Sequence, residues 1–379
     1  MADPTVATGG VGVSVGAARG GVGSHVRGGD TPLEVSKRGS AQRFQPGSPR
    51  VLVAGATGFA GALAAHLLWR HPRFELAAIT GRSDVGSRLD ELYPRYRVPL
   101  RVQELDLDEL DGFDAAVVAY PHAAAAPTVG ALLDRGTRVI DLSADFRLSE
   151  LPTYEHWYGT HPRPDLLERA VYGLTELHRE QIAAAAIVAN PGCYPTASLL
   201  ALAPLARAGL LADVVVDAKQ GISGAGRTAS LDTTHLSYTA ENIIPYKVAA
   251  HRHTPEIEEQ LSLLGADLRV QFQAHLVPLD QGEMASCYVT PTRTVSAEEL
   301  SELFAAAYDD EPFVEVIDAP PGVREVRDTN FCRLFAAADA HTGKLLVFSA
   351  IDNLWKGTSS QAVQNLNLMF GLPETEGLL

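Results

Sequence analysis

The chain has 379 residues, 46% of them hydrophobic, and its 31 basic and 46 acidic side chains leave a formal net charge of −15 at pH 7. This length predicts two packed domains rather than one core. The acidic balance argues against nucleic acid or an anionic membrane as the main partner, so we expect a small-molecule substrate that is met by local cations. No stretch approaches the roughly 20 consecutive apolar residues of a membrane-spanning helix.

The three cysteines, Cys193, Cys287 and Cys332, cannot all pair with one another, and none has the spacing of a zinc site. The sequence therefore predicts no disulfide framework, no bound metal and a reducing, cytoplasmic location. Residues 1–47 are rich in Gly, Ser, Val and Arg, and we expect them to form a disordered extension. A cleaved transit peptide is the alternative interpretation of this segment.

The next part of the chain alternates between strand and helix patterns. Apolar runs with the length of buried strands occur at 51–54, 75–80, 115–119 and 137–141, and helical patterns occur at 62–70 and 123–135. Such alternation predicts an α/β fold, a Rossmann-type doubly wound parallel sheet with helices on both faces.

Beyond about residue 190 the predicted strands become longer and the helices fewer, which indicates an inserted α+β domain with a mixed sheet. We expect strands at 214–218, 270–277, 283–290 and 345–351, and helices at 196–208, 254–264, 296–308 and 357–370. Ser296 is the predicted N-cap of its helix. The last helix should return to the first domain, so 48–190 and 355–379 would bind the cofactor and 191–354 would hold the catalytic, substrate-binding and oligomerisation elements.

The segment GATGFAG follows the first strand and opens a helix. Gly55, Gly58 and Gly61 stand where a tight turn and the approach of a pyrophosphate require small residues. After the second strand, where an acidic residue would favour NAD, the chain has Arg82 and Ser83, which suit the 2′-phosphate of NADP. The alternatives are a turn that binds nothing and an Arg82 that is merely solvated.

Cys193 follows Asn190-Pro191-Gly192 and precedes a predicted helix, whose N-terminus should lower the pKa of the thiol and hold an oxyanion. This makes it the candidate nucleophile, whereas Cys287 and Cys332 lie in apolar strands and are expected to be buried. His251 and His253 are the candidate acid/base. We prefer His253 because Glu256, one helical turn later, could orient it, and His251 stays open.

Two loops have the composition of anion-binding sites. Residues 221–227 combine flexible glycines with Ser223 and Gly224, which we expect to bind the cofactor, and Arg227, which we expect to bind the substrate. Residues 141–147 end a predicted strand with Ser143 and Arg147, two further substrate-binding candidates. Arg147 could clamp a substrate carboxylate, and the alternative for this residue is a structural ion pair with Asp145. The alternative for 221–227 is a mobile surface loop. Asn190 and Tyr246 complete the expected substrate-binding residues.

The motifs GATGFAG, DLSADFRL, NPGCYPT, GISGAGR, AHRHTPEIEEQL, HLVPLDQGE and DNLWKGTSSQAVQNLNLMFG follow one another from about residue 50 to the C-terminus. In this order they resemble the N-acetyl-gamma-glutamyl-phosphate reductase family, which is related to aspartate-semialdehyde dehydrogenase. The resemblance implies NADPH as reductant and a homodimer or homotetramer formed through the sheet of the inserted domain. It places the family's nucleophile on Cys193, its histidine motif on 251–256, its cofactor turn on 55–61 (including Thr57, Phe59 and Ala60) and its nicotinamide-side asparagine on Asn353. Trp355, Thr358 and Ser359 depart from the small or aliphatic residues that this pattern favours.

The predicted reaction is NADPH-dependent reduction of N-acetyl-L-glutamyl 5-phosphate to N-acetyl-L-glutamate 5-semialdehyde and phosphate, through a thioester on Cys193, in arginine biosynthesis. The alternative enzymes are an aspartate-semialdehyde dehydrogenase and a reductase of carrier-protein-linked acyl phosphates in lysine biosynthesis. A third alternative is a protein that senses NADP without catalysis.

Overall fold

A computed structural model describes residues 47–108, 111–228 and 235–379. The predicted disordered extension, 1–47, lies outside the described residues apart from Gly47. Among the described helices, none combines the length and apolar character needed to cross a bilayer.

Strands and helices alternate in the first part of the chain, as the sequence predicts. The elements are β1 (Arg50–Ala54), α1 (Phe59–Arg70), β2 (Glu75–Thr80), α2 (Leu89–Leu92), β3 (Ala115–Val118), α3 (Ala126–Leu133), β4 (Arg138–Asp141), α4 (Leu151–Tyr158), β5 (Ala170–Tyr172), α5 (Thr175–Ala184) and β6 (Ile187–Ala189). In this described region the strands form one parallel six-stranded sheet in the order β2-β1-β3-β4-β6-β5. Apolar residues fill the strand centres because helices cover both faces of the sheet.

The second part of the chain forms a mixed sheet covered by helices on one face. Its elements are α6 (Cys193–Arg207), β7 (Leu211–Gln220), α7 (Leu236–Thr239), β8 (Ile244–Tyr246), α8 (Thr254–Leu263), β9 (Val270–Leu276), β10 (Glu283–Pro291), α9 (Ala297–Tyr308), β11 (Val314–Val316), β12 (Cys332–Ala338) and β13 (Leu345–Ile351). The described strands lie in the order β11-β12-β13-β10-β7-β9-β8. β7 pairs with β9 in parallel and with β10 antiparallel, which confirms the predicted mixed sheet.

The chain then returns to the first sheet through a π-helical turn, Trp355–Ser359, and α10 (Ser360–Met369). Ala362, Val363, Leu366 and Met369 of α10 belong to the same hydrophobic cluster as the residues of β1 and α1. The last helix therefore packs where the sequence pattern places it.

Several predicted boundaries agree with the structure, and one differs at the site. β2 and β13 span the predicted residues, and Ser296 caps α9 by accepting the Glu299 N–H at 3.1 Å. α6, however, begins at Cys193, three residues before the predicted start. Gly192 is its extended N-cap, and Pro195 fits within the first helical turn because amides there need no intrahelical partner.

Candidate active site

Cys193 opens onto a cavity of about 500 Å³ that lies between the two sheets. The thiol residue is partly exposed, whereas Cys287 and Cys332 are buried in β10 and β12, as the sequence predicts. The cavity is lined by residues from both halves of the chain, including Ser143, Arg147, Cys193, Gln220, Gly224, Tyr246, Lys247, His251, Arg252 and His253. The thiol, three imidazoles (His122, His251 and His253) and three cations thus share one space.

The surroundings of the Cys193 thiol differ from the sequence expectation. The Gln220 side chain donates a hydrogen bond from Nε2 to Sγ at 2.8 Å. Burial, followed by the charge of Glu283, raises the thiol pKa well above its ordinary value, although the Tyr194 backbone N–H and Gln220 act in the opposite direction. The prediction that the helix N-terminus would lower this pKa is therefore wrong for the protein alone, because loss of hydration and a neighbouring carboxyl outweigh the helix end.

Glu256 holds the turn before the thiol instead of orienting a histidine. Its Oε1 accepts the Gly192 N–H at 2.9 Å and the Tyr172 hydroxyl at 2.8 Å, and its Oε2 lies 3.5 Å from Nη1 of Arg147. The prediction that Glu256 orients His253 is thus incorrect. As the third residue of α8, Glu256 points from the first helical turn into the core toward Gly192.

Arg147 is a buried support for the same turn. It donates from Nε to the Asn190 carbonyl and from Nη2 to the Leu142 carbonyl, both at 2.8 Å. The alternative ion pair with Asp145 does not form, since that carboxylate accepts hydrogen bonds from the Ala123 and Ala126 amides. Arg147 still lines the cavity, so its guanidinium holds the peptide before Cys193 and also supplies positive charge to the site.

The two histidines are held differently. Nδ1 of His251 accepts the backbone N–H of His253 at 3.2 Å, and burial with the charge of Lys247 lowers the His251 pKa to about 3. Nδ1 of His253 is buried and has no hydrogen-bond partner among the described residues, while its Nε2 lies 2.6 Å from where a Cβ on Gly192 would stand. Burial, then His251, Arg147 and Lys247, lower the His253 pKa well below its ordinary value, so the imidazole is neutral at pH 7.

The glycine turn has the shape of a dinucleotide cradle. Gly55 has a φ of +92°, which favours glycine, and a Cβ on Gly61 would lie 2.2 Å from the Gly55 carbonyl oxygen. A Cβ on Gly58 would have only one neighbour, 3.8 Å away, so this side of the turn is open. α1 begins directly after Gly58, and its first-turn amides can meet a phosphate in that space. These residues fit a dinucleotide.

Arg82 and Ser83 lie beside this turn. The Arg82 guanidinium stacks over the Tyr120 ring at 4.9 Å, and the Ser83 hydroxyl lies 3.2 Å from the Thr57 hydroxyl. Arg227, which the sequence suggests for substrate, also lies here. It donates from Nη1 to the Thr57 carbonyl at 3.1 Å and to Asp84 at 2.6 Å. The structure thus places Arg227 with the glycine turn.

The turn Trp355–Ser359 connects the glycine turn to the thiol. Ser359 donates to the Ala60 carbonyl at 2.8 Å, and a Cβ on Gly357 would lie 2.7 Å from the Cys193 Cβ. Asn353, just before this turn, accepts the Gly282 N–H at 2.8 Å and donates to the Ser223 hydroxyl at 3.0 Å. A ligand on the glycine turn can therefore extend past Ser223 and Asn353 toward Cys193.

The chain matches two family models that together cover most of it: "Semialdehyde dehydrogenase, NAD binding domain" over residues 50–185 and "Semialdehyde dehydrogenase, dimerisation domain" over residues 193–353. An N-acetyl-gamma-glutamyl-phosphate reductase of Desulforudis audaxviator is 49% identical over 87% of this chain and 98% of its own length. A Rhodopirellula baltica protein of the same name is 43% identical over 87% of this chain and 98% of its own. The chain belongs to the N-acetyl-gamma-glutamyl-phosphate reductase family.

Solved structures show the same fold outside this reductase family. Aspartate semialdehyde dehydrogenase II of Vibrio cholerae, complexed with ASA, superposes with a TM-score of 0.66 at 20% identity, over 86% of this chain and 98% of that one. The Candida albicans aspartate semialdehyde dehydrogenase with NADP gives a TM-score of 0.60 at 16% identity, over 85% of this chain and 98% of that one. At these identities the likeness concerns the fold alone.

Most of the residues singled out from the sequence meet in two places in this reductase-family fold. Cys193, His251, His253, Arg147, Ser143, Gly224 and Tyr246 line the cavity, and Gly55, Thr57, Gly58, Phe59, Ala60, Gly61, Arg82, Ser83 and Arg227 surround the glycine turn. The Asn190 side chain lies instead in the interior, where it donates to the Thr358 carbonyl at 3.0 Å and accepts from Asn365 at 3.2 Å.

Sequence reasoning assigned no role to Gln220 and Glu283, two residues beside the thiol. Glu283 ends HLVPLDQGE, one of the motifs that carry the resemblance, whereas Gln220 stands directly before another, GISGAGR. The available signal was that Glu283 is the one charged residue of its predicted strand. Within the described residues, no three His, Cys, Asp or Glu side chains are grouped so that they could hold a metal ion.

Proposed function

We propose that this chain reduces N-acetyl-L-glutamyl 5-phosphate to N-acetyl-L-glutamate 5-semialdehyde and phosphate, with NADPH, in arginine biosynthesis. The observation that carries the proposal is Cys193 at a helix N-terminus, in a cavity that it shares with the imidazoles of His251 and His253, in a chain whose curated relatives bear the name of this reductase. The cavity cations Arg147, Lys247 and Arg252 would meet the negative charges of such a substrate, which an acidic chain otherwise repels.

Cys193 attacks the acyl carbon in this mechanism, so that an S–C bond forms and the phosphate leaves. The phosphate departs toward the loop that holds Ser223 and Gly224, which lies at the cavity wall. The tetrahedral oxygen meets amide groups at the start of α6, since the first amides of a helix lack intrahelical partners. Glu256 and Arg147 keep the turn before Cys193 in place while these bonds change.

His253 is the proposed group that exchanges a proton with the substrate oxygen. It adjoins Gly192, and its Nδ1 is not engaged within the described structure. Because its imidazole is neutral at pH 7, His253 can donate a hydrogen bond to the oxygen without adding a charge to the site, and it is positively charged only while it holds a proton taken from that oxygen. His251 is better suited to positioning, since its Nδ1 is already bound to the His253 N–H.

NADPH supplies the hydride when bound. We propose that its pyrophosphate rests on Gly55–Gly61 and its 2′-phosphate on Arg82 and Ser83, with Arg227 as a third cation or donor nearby. Beside Arg82 a cavity of about 620 Å³, lined also by Gly81, Leu105 and Thr128, offers room for an adenosine. Arg82→Asp should raise the Kd of NADPH about 10–100-fold, the effect of one or two charged hydrogen bonds, and leave the Kd of NADH nearly constant. An unchanged preference would remove this assignment.

We propose that two copies associate through the face of the second sheet that its helices leave uncovered. Along β10, β12 and β13, one set of side chains joins the core while Tyr288, Phe335, Leu346 and Phe348 point to the other face and stay partly exposed. Such an apolar patch favours a partner surface, and the family model over this region is a dimerisation domain. Light scattering should give a homodimer or homotetramer.

The reaction is tested by following NADP reduction with N-acetyl-glutamate semialdehyde and phosphate. We expect Cys193→Ser to lower turnover on the order of 10⁴-fold or more while the Kd of NADPH stays within twofold. Cys287→Ser is the matched control, because that thiol is buried in β10. Aspartate semialdehyde, assayed in parallel, should be a poor substrate. A Cys193→Ser enzyme with near-parental turnover would refute the mechanism, and preference for aspartate semialdehyde would refute the substrate.

A further inference from the structure

A carboxyl group that this mechanism does not use lies beside the thiol. Glu283 is the first residue of β10, and its side chain is completely buried. Neither of its carboxyl oxygens has a hydrogen-bond partner of ordinary geometry among the described residues. Buried carboxyl groups are usually paired or hydrogen-bonded, because losing their hydration is costly. A carboxyl left in this state at a reactive centre is a candidate for proton transfer.

The strand register directs Glu283 toward Cys193. β10 pairs antiparallel with β7, and Glu283 stands directly opposite Gln220, so the two side chains project from the same face of the sheet. Gln220 is the residue that donates to the Cys193 sulfur at 2.8 Å. No hydrogen bond of ordinary geometry joins the Glu283 carboxyl to the thiol, but the two groups are close enough for each to shift the pKa of the other.

The titratable groups that lie around the Glu283 carboxyl are acids. Cys193 and Tyr194 approach from α6, Tyr246 approaches from β8, and Asp352 approaches from the end of β13. Burial first, and then the charge of Asp352, raise the pKa of Glu283 to about 8, against the lowering effect of the thiol hydrogen bond. The carboxyl therefore exchanges its proton near neutral pH, where His251 and His253 stay neutral.

We propose that Glu283 is a catalytic residue that takes the proton of the Cys193 thiol when the thioester forms and returns it when the aldehyde leaves. This inference rests on the proposed function, because it assigns the proton at sulfur in the same reaction. In the first half, the S–H proton moves to the Glu283 carboxylate while the S–C bond forms and the carbon–phosphate oxygen bond breaks. The departing phosphate takes the one proton that the overall reaction consumes from water.

In the second half, a bound NADPH would supply the hydride that reduces the thioester carbon, and the resulting substrate oxyanion expels the sulfur. The C–S bond breaks, the aldehyde carbonyl forms, and the thiolate recovers its proton from the Glu283 carboxylic acid. Glu283 thus ends as it began. His253 and the α6 amides act on the oxygen, and Glu283 acts on the sulfur.

Glu283→Gln tests this assignment because the amide has the same shape but cannot accept the proton. Turnover should fall about 10²–10⁴-fold, the usual contribution of general acid–base catalysis. The rise of parental turnover with pH through about 8, which reports the carboxylate form, should be absent from the variant. Alkylation of Cys193 by iodoacetamide should shift to lower pH, at least about tenfold faster at a given pH, since a negative neighbour has been removed.

Turnover should fall while alkylation of Cys193 accelerates. Because loss of packing would also expose the thiol, the urea unfolding midpoint of Glu283→Gln must match that of the parent. The Glu283→Gln/Cys193→Ser double variant gives the alkylation background of Cys287 and Cys332. Glu283→Asp, which keeps a carboxyl group, should recover part of the turnover and serves also if the glutamine variant fails to fold. Parental turnover in Glu283→Gln, or equal losses in both variants, would overturn the proposal. An unshifted pH dependence of Cys193 alkylation would also overturn the role of Glu283, whatever the substrate proves to be. Failure of the parent to reduce the proposed substrate would instead refute only the proposed function.

Discussion

Replacing Glu256 with glutamine separates the role that the structure gives this carboxylate from the role that its sequence position suggests. In the structure Glu256 accepts hydrogen bonds from Gly192 N–H and the Tyr172 hydroxyl and lies 3.5 Å from the Arg147 guanidinium. Glutamine keeps one oxygen for those hydrogen bonds and loses the negative charge. The variant therefore leaves a buried arginine without its carboxylate.

The size of the effect follows from burial. The Arg147 and Glu256 side chains are only 8% and 1% exposed. Removing one partner of such a pair costs about 3–5 kcal/mol, and the long 3.5 Å separation places this pair near 3 kcal/mol. A loss of that size should lower the Tm by about 4 °C, because a chain of this length has an unfolding entropy of roughly 0.8 kcal/mol/K. Because Gly192 directly precedes Cys193, kcat should also fall by about tenfold or more as the thiol loses its fixed position.

Urea denaturation and the pH dependence of kcat/KM together test this reasoning. Glu259→Gln is the matched control, since Glu259 lies on the same helix, is half-buried and, among the described residues, accepts a hydrogen bond from the Ser149 N–H alone, at 3.0 Å. It should cost less than about 1 kcal/mol. If Glu256→Gln were as stable as the parent, the supporting role described above would be wrong. A shift of the histidine pKa in the pH dependence of kcat/KM, without loss of stability, would show instead that Glu256 tunes an imidazole.

Two further predictions concern buried titratable side chains. The His251 pKa of about 3 lies below its unfolded value near 6.5, so the unfolded chain binds the extra proton and stability is lost as pH falls below about 6.5. Between pH 7 and pH 5 the parent should therefore lose about 2 kcal/mol more in urea denaturation than His251→Gln, and parallel curves would contradict this. Lys356→Met should cost about 3–5 kcal/mol, because Lys356 Nζ contacts Glu176 at 2.6 Å in the interior. Adding Glu176→Gln should restore most of the lost free energy of unfolding, because it removes the unpaired carboxylate. If stability did not recover, the loss would not come from breaking the Lys356–Glu176 pair.

The sequence was sufficient for those features that depend on near neighbours along the chain. The apolar runs identified β2 and β13 at their observed bounds, and the Ser296 cap and the glycine turn were read correctly. Strand alternation, helix caps and tight turns depend on side-chain shape and backbone sterics within a few residues. The nucleophile, too, was visible as a thiol between a Pro-Gly turn and a helix, and it lies in the cavity.

Only the tertiary structure decided which side chains meet and how their charges respond. Glu256 bonds to Gly192, 64 positions away, rather than to His253, and Arg227 reaches Thr57 across 170 positions. The Cys193 pKa is raised rather than lowered because the fold buries the sulfur beside Glu283. Spacing along the chain carries no information about such distant contacts, or about the loss of hydration that sets the pKa values of buried groups. The sequence therefore determined the elements and the nucleophile, and the packing of two sheets around one cavity determined the chemistry that surrounds it.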